Sequence, residues 1–499
     1  MKKFIKIKAF LVLAMVIGMF SCTKDFEEMN VDPNRPVDAP STNILAHSIR
    51  YAGDVFFDDW QNMNNFMSYS GQVTKIQYVD EARYNYRESV VNAAWEDYYN
   101  TMLDLQKIID KSAEDMENTP NMKAVALTFQ MFLLQMATDT WKAVPWANAL
   151  QGEDGVTNPA YDPQADIYGA ILDNLKMANS MYDFNPNTAD DIGSGDILFN
   201  GDIEKWQKFT NSLRLRAAIR LSNVDEALAS QHLTEIFSDP ATYPIMETND
   251  DNAYLYWPGA APYYEPFYEN SITRDDHGMC IYLIDYLKEY NDPRLMVYAH
   301  PGFYDTINGE AVPVYTGILP GAEDGTFRMD TVSRIGAMYR DDPSGFTPFM
   351  PASEVYFIMA EAANRGLATP AMGAQAAYEE GIKLSMYFNE ITDDAAIADY
   401  TAQDMIAWDG SNEKIYMQKW IALFKNGHET WAENRRTDVP VIDVAPGSPF
   451  TGHNRQPFRY PYPTAEFNLN GANLSQFTTG IVDRFWGQQM YWDTRQGVQ

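Results

Sequence analysis

Residues 254–268 carry Tyr254, Tyr256, Trp257, Tyr263, Tyr264, Phe267 and Tyr268, interleaved with Pro258, Pro262 and Pro266. Proline stiffens the backbone, and tyrosine and tryptophan present an apolar face with a polar tip. A sugar ring suits such a surface: its C–H face stacks on an aromatic ring while its hydroxyls bond to neighbouring polar groups. Arg274, Asp275 and Asp276 follow closely and could supply those bonds. A second cluster, Gln77, Tyr78, Arg83, Tyr84, Tyr86 and Arg87, precedes a helical segment. The competing reading is that these rings pack loops onto helices. The site expected from the residues is Tyr78, Tyr84, Trp257, Tyr263, Tyr264, Arg274 and Asp276. On that expectation, replacing Trp257 and Tyr263 by alanine abolishes binding and leaves the melting temperature nearly unchanged.

Other chemistry is sparse. The chain has no GxSxG elbow, no HExxH and no phosphate-binding Walker loop. Its 6 histidines are scattered without i, i+4 pairing, so a histidine metal site is not expected. Ser411-Asn412-Glu413-Lys414 matches the SxxK of penicillin-binding enzymes but stands without that family's other motifs, and it reads better as a helix N-cap. Asp190-Asp191-Ile192-Gly193-Ser194-Gly195-Asp196 has the oxygen ligands calcium takes, without EF-hand spacing, and reads better as a solvated acidic turn. No cofactor is expected. Cys280, within Met279-Cys280-Ile281-Tyr282-Leu283, reads as a small buried hydrophobe.

Charge removes further classes. The 499 residues include 37 Lys or Arg against 69 Asp or Glu, a formal net charge of −32, which leaves no phosphate-neutralising surface for nucleic acid. Two cysteines make neither a disulfide scaffold nor a zinc module. The first residues form a secretory signal. Lys2, Lys3, Lys6 and Lys8 precede the uncharged run Ala9–Phe20, which is shorter than the about 20 residues that span a bilayer. Ser21-Cys22 then resembles a bacterial lipobox, with cleavage before Cys22 and acylation of that residue.

The frame that must position the aromatic loops is helical. After a proline-containing tether to residue 41, apolar spacing predicts helices near 42–68, 89–115, 120–138, 163–182, 203–222, 225–237, 278–290, 352–366, 371–388 and 412–436. The helix at 120–138 is apolar all round and should be central. Segments 240–275, 296–350 and 437–499 read as long ordered loops, and strand-like runs are few and short. Ser353–Ala362, followed by Gly366 and by Ala374, Ala377, Tyr378, Gly381 and Ile382, places small residues where two helices pack closely, a degenerate tetratricopeptide-like unit.

Together these motifs resemble the SusD/RagB outer-membrane lipoproteins. The tether Cys22-Thr23-Lys24-Asp25-Phe26-Glu27-Glu28-Met29-Asn30-Val31-Asp32-Pro33-Asn34 carries the first match. Thr138-Asp139-Thr140-Trp141, Tyr161-Asp162-Pro163-Gln164, Gly201-Asp202 with Lys205-Trp206, and Arg214, Arg216 and Arg220 extend it. Asn291-Asp292-Pro293-Arg294, Gln418-Lys419-Trp420, Arg435-Arg436-Thr437-Asp438 and Arg459-Tyr460-Pro461-Tyr462-Pro463 complete it. Lys142 stands where the family often has glycine, and Trp146 where it often has tyrosine.

The resemblance implies a mainly α fold, an α-α superhelix of tetratricopeptide-like helix pairs crossed by irregular aromatic-rich loops. It implies a signal peptide at 1–21, a lipidated Cys22 with an extended tether to 41, and one SusD-like helical domain over 42–499. It further implies a non-catalytic outer-membrane lipoprotein facing the cell exterior, binding oligosaccharide or polysaccharide for a SusC-like TonB-dependent β-barrel transporter. A RagB-like peptide receptor, a glycoside hydrolase and a purely structural partner of the barrel are the alternatives. Motif residues such as Trp141, Trp206 and Trp420 belong to the scaffold, so ligand contacts are expected from the variable loops.

Overall fold

The computed structural model describes residues 39–114, 119–323, 325–481 and 483–499. The expected signal sequence, the expected lipidation site Cys22 and nearly all of the expected tether lie outside the described residues. Helices of eight or more residues are α1 (Ser41–Val55), α2 (Glu88–Glu114), α3 (Pro120–Trp141), α4 (Gln164–Met181), α5 (Ile203–Leu221), α6 (Glu226–Ser238), α7 (Pro266–Thr273), α8 (Ile281–Glu289), α9 (Ala352–Asn364), α10 (Ala374–Phe388), α11 (Asp394–Thr401), α12 (Asn412–Ala422), α13 (Gly427–Thr437) and α14 (Gly471–Thr478). Helices α1 to α6 each pack on the next, and α9 packs on α10, α12 and α5. The mainly α, tetratricopeptide-like reading therefore holds. All of α3 is buried except Pro120 and Lys123, which makes it the central helix. Gly381 lets α10 approach α9, since a Cβ there would meet Phe357 at 2.9 Å.

The strands are β1 (Val73–Lys75), β2 (Ala253–Tyr256), β3 (His277–Met279), β4 (Phe303–Ile307), β5 (Glu310–Val314) and β6 (Phe346–Met350). They form three antiparallel pairs, β1–β3, β2–β6 and β4–β5.

Two expected helices are interrupted. The stretch 42–68 breaks after Val55. Asp58 accepts a hydrogen bond from the Gln61 amide at 2.8 Å and starts a π-helical segment, Asp59–Phe66. The stretch 412–436 breaks at Lys425, which has φ +79°, and restarts with Asn426 as N-cap. Gly427 is required there because a Cβ would come within 2.4 Å of Asn62. The loop expected at 240–275 also contains α7, capped by Glu265 with Pro266 at its first turn.

Trp141, Trp206 and Trp420 are fully buried, as are Arg214, Arg220, Arg294, Arg435 and Arg436. Two arginines of α5, Arg216 and Arg220, join a buried ionic network. Arg216 meets Glu354 of α9 at 2.6 Å, and Arg220 meets Glu433 of α13 at 2.9 Å. Arg436 bridges Glu361 and Glu433 at 2.7 and 2.8 Å, and Lys419 of α12 reaches Glu433 at 3.1 Å. Removing one member of such a network strands its partner without a counter-charge and costs about 3–5 kcal/mol.

The acidic stretch 190–196 is also structural. Asp190 accepts the amides of Asn121 and Met122 at 2.8 and 2.9 Å and so caps α3 from outside. Asp196 accepts the amides of Leu198, Phe199 and Gly201 and the Trp206 indole N–H. Asp190 and Asp196 are thus taken up by protein donors, which corrects the solvated-turn reading for those two, while Asp191 is exposed as that reading expects. Ser411 caps α12 through the Glu413 amide at 3.1 Å. Cys280 is fully buried, and burial pushes its thiol up to about 12.

Candidate ligand-binding face

Three surface segments meet around the β1–β3 pair. The register Val73↔Met279, Thr74↔Gly278, Lys75↔His277 is extended by Ile76 N–H donating to Asp276 O at 2.8 Å. Chain leaving β1 therefore runs beside chain entering β3, and Tyr78 and Arg274 meet across the gap. The Arg274 guanidinium lies 5.8 Å from the Tyr78 ring centroid. The π-helical segment Asp59–Phe66 packs against β1, the turn Glu81–Arg83 and α7. Asn270 of α7 donates to Asp59 Oδ2 at 2.9 Å and pins that contact.

One motif occurs three times on this surface: an exposed ring, a guanidinium over its face, and a carboxylate beside the guanidinium. Tyr78, 67% exposed, has Arg274, which lies 4.0 Å from Asp276. Trp60, 41% exposed, has Arg87 at 5.2 Å, and Arg87 Nε donates to Glu81 Oε1 at 2.6 Å. Tyr263, 45% exposed, has Arg50 at 5.5 Å, and Arg50 meets Asp54 at 3.4 Å. A cation over one ring face is attracted to its quadrupole. A guanidinium carries five N–H donors in a fixed fork, and one carboxylate contact leaves others available for ligand hydroxyls. Each unit thus offers an apolar ring and directed donors side by side.

Beneath the rings lies a polar layer. Lys75 Nζ pairs with Asp276 Oδ2 at 3.0 Å, and the buried His277 contacts Asn64 Oδ1 through Nε2 at 2.7 Å and Asp276 Oδ1 through Nδ1 at 3.2 Å. Burial pushes the Asp276 carboxyl up, but its bonds to His277 and Lys75 outweigh burial and hold it below the usual carboxylate range. Burial holds the His277 imidazole below its ordinary value, so the ring is neutral at neutral pH. Asp58 and Asp59 are both raised, chiefly by burial, and Asp58 also by its neighbour Asp59.

Four of the expected site residues reach the surface: Tyr78, Tyr263 and Arg274 are exposed, and Tyr264 is half-buried and tilted on Tyr268 at 5.4 Å. Three do not. Asp276 is buried under Arg274, where it acts as an ion-pair partner rather than a ligand contact. Tyr84 is fully buried, donating to Gln456 Oε1 at 2.9 Å and accepting from the Ala445 amide at 2.7 Å. Trp257 is buried too, its indole N–H donating to Thr347 Oγ1 at 3.0 Å. Both are core residues: Tyr84 is closed over by Gln456 and Ala445, and Trp257 continues the β2–β6 ladder through Gly345 O at 3.0 Å. Trp60, Arg50 and Glu81 were not anticipated. Of these only Trp60 leaves a sequence trace, the acid pair Asp58-Asp59 just before it, which is a helix-start signal.

A family model described as starch-binding and associating with the outer membrane, SusD-like, matches residues 33–463. The chain belongs to the SusD-like family. Solved structures of the same fold include a chitin-binding protein at 24% identity and TM-score 0.79, covering 91% of this chain and 100% of that one. A chitin-binding SusD homologue from Flavobacterium johnsoniae has 23% identity and TM-score 0.75, covering 91% of this chain and 98% of its own. A SusD homologue from Bacteroides fragilis has 22% identity and TM-score 0.74, covering 91% and 99%. No curated protein matches the chain in a sequence comparison. At these identities the solved SusD-like structures speak for the fold.

Proposed function

We propose that this SusD-like protein binds oligosaccharide or polysaccharide at the cell surface and delivers it to a SusC-like TonB-dependent transporter in the outer membrane. The observation that carries the reading is the threefold ring–guanidinium–carboxylate unit at Trp60, Tyr78 and Tyr263. Stacking on exposed rings with edge hydrogen bonds gives modest affinity, which suits capture and release. The family's description as starch-binding and two chitin-binding relatives support a glycan. Acylation at Cys22 would hold the chain at the membrane, its body facing outward. The proposed role is binding without turnover.

Calorimetric titration of the protein lacking its first 22 residues against starch, chitin oligomers and other polysaccharides, with a peptide digest alongside, tests the reading. Heat from one glycan class and none from peptides is expected. Heat from peptides alone overturns it.

A further inference from the structure

A cleft of about 350 Å³ lies where α8, α10, α12 and the segment 438–441 meet, and no residue of the three ring units lines it. Its volume is at the lower end for small-molecule sites and suits one ring or one side chain. Tyr286 and Tyr290 form an aromatic corner in the lining, their centroids 5.7 Å apart at 49°. Met405, 52% exposed, adds apolar surface.

The polar groups of the lining divide sharply. Lys414 is occupied: its ammonium donates to Asp404 O and Ala407 O at 2.9 and 2.7 Å and pairs with Asp409 at 3.0 Å. Asp438 is neutralised by Arg455 and Arg495 at 2.9 and 3.1 Å. Gln418 is buried and bonded to Arg294 and Tyr400. Glu413 is different. It is exposed, it lines the cleft, and its carboxylate has no cationic partner among the described residues. Glu289, next to Tyr290 but outside the lining, is exposed and equally without one among the described residues. Burial, with the negative field of Glu289 and Glu413, raises both tyrosine hydroxyls, Tyr290 to about 12. A cation is therefore the missing complement: Tyr286 and Tyr290 in the lining offer aromatic surface that attracts it, Glu413 supplies the charge inside the cleft, and Glu289 adds its field from outside the lining.

We propose that this cleft is a second binding site, selective for an organic cation the size of one amino-sugar ring or one arginine or lysine side chain.

The test compares glucosamine, N-acetylglucosamine and arginine amide by titration at low salt, in the Trp60→Ala/Tyr78→Ala background that removes the main face. Binding of glucosamine or arginine amide, with N-acetylglucosamine at least about tenfold weaker, is expected because acetylation removes the charge and keeps the ring. Tighter glucosamine assigns the site to a glycan, and tighter arginine amide assigns it to a polypeptide side chain. Glu289→Gln/Glu413→Gln alters two exposed groups and should weaken the cationic probes about tenfold, leaving glycan binding at the main face of the otherwise native chain unchanged. Equal binding of glucosamine and its acetylated form, no binding by any probe, or indifference to the double substitution would overturn the proposal.

Discussion

Arg274 lies over the Tyr78 ring because each stands three residues beyond its partner in the last strand pair, Lys75↔His277. A short antiparallel ladder thus fixes a contact between residues almost two hundred positions apart. The ring is held by its guanidinium and supports little else, which separates its role in binding from any role in folding.

Tyr78→Ala and Trp60→Ala should each weaken glycan binding about tenfold, the scale of a truncated binding anchor. Neither should move the melting temperature by more than about 2 °C, because exposed substitutions lie within about 0.5 kcal/mol. Titration beside a thermal melt reads both. Unchanged affinity in the two variants would remove the ring units from the site.

Trp257→Ala should behave oppositely to Tyr263→Ala. Trp257 is buried with its indole bonded to Thr347, so truncation should cost about 3–5 kcal/mol of stability. Tyr263 is exposed under Arg50, and its loss should appear in affinity alone. Urea unfolding distinguishes them. A stable Trp257→Ala protein that fails to bind would restore that residue to the ligand face.

Stability should fall on mild acidification, in part through His428. Burial depresses its imidazole from 6.5 to about 3, and it contacts Phe56 O through Nε2 at 2.8 Å. Above pH 6.5 both folded and unfolded states carry it neutral, so it adds no pH dependence. Below 6.5 the unfolded state takes up a proton that the folded state refuses until about pH 3, and each pH unit between costs about 1.4 kcal/mol. In His428→Gln the slope of unfolding free energy between pH 4 and 6 should be shallower by one proton. An unaltered slope would show that His428 is not buried neutral.

Lys142→Gly should stabilise the chain by about 1 kcal/mol. Lys142 ends α3 at φ +82°, ψ −87°, a conformation that strains a side chain and suits glycine. Its ammonium bond to Gln488, at 3.1 Å, is exposed and contributes little. A lower melting temperature in the variant would show that the strain is offset by contacts of the lysine stem.

The frame was legible because its signals are local. The all-apolar face of α3, the Ser411 cap and the buried tryptophans each declare themselves within one helix. The split between Trp257 and Tyr263 did not. Both stand in one proline-rich aromatic run, yet the first continues a ladder with β6, ninety residues onward, and the second leaves it. Composition identifies such a run as aromatic, and only the distant partner strand decides which ring turns inward. Tyr84 is parallel: a left-handed backbone residue, closed over by Gln456 and Ala445 from the far end of the chain. Trp60 was hidden for the reverse reason, since its segment reads as a continuing helix until Asp58 restarts it.

The three-residue match between β1 and β3 also bears on how recognition could be re-engineered. Each ring unit draws its parts from separate stretches of chain: Tyr78 with Arg274, Trp60 with Arg87, Tyr263 with Arg50. Transplanting one loop from a relative would deliver a ring without its donor, or a donor without its ring. New specificity in this scaffold must be moved as matched pairs, and for Tyr78 and Arg274 the strand pair is the hinge pin that keeps the halves in step.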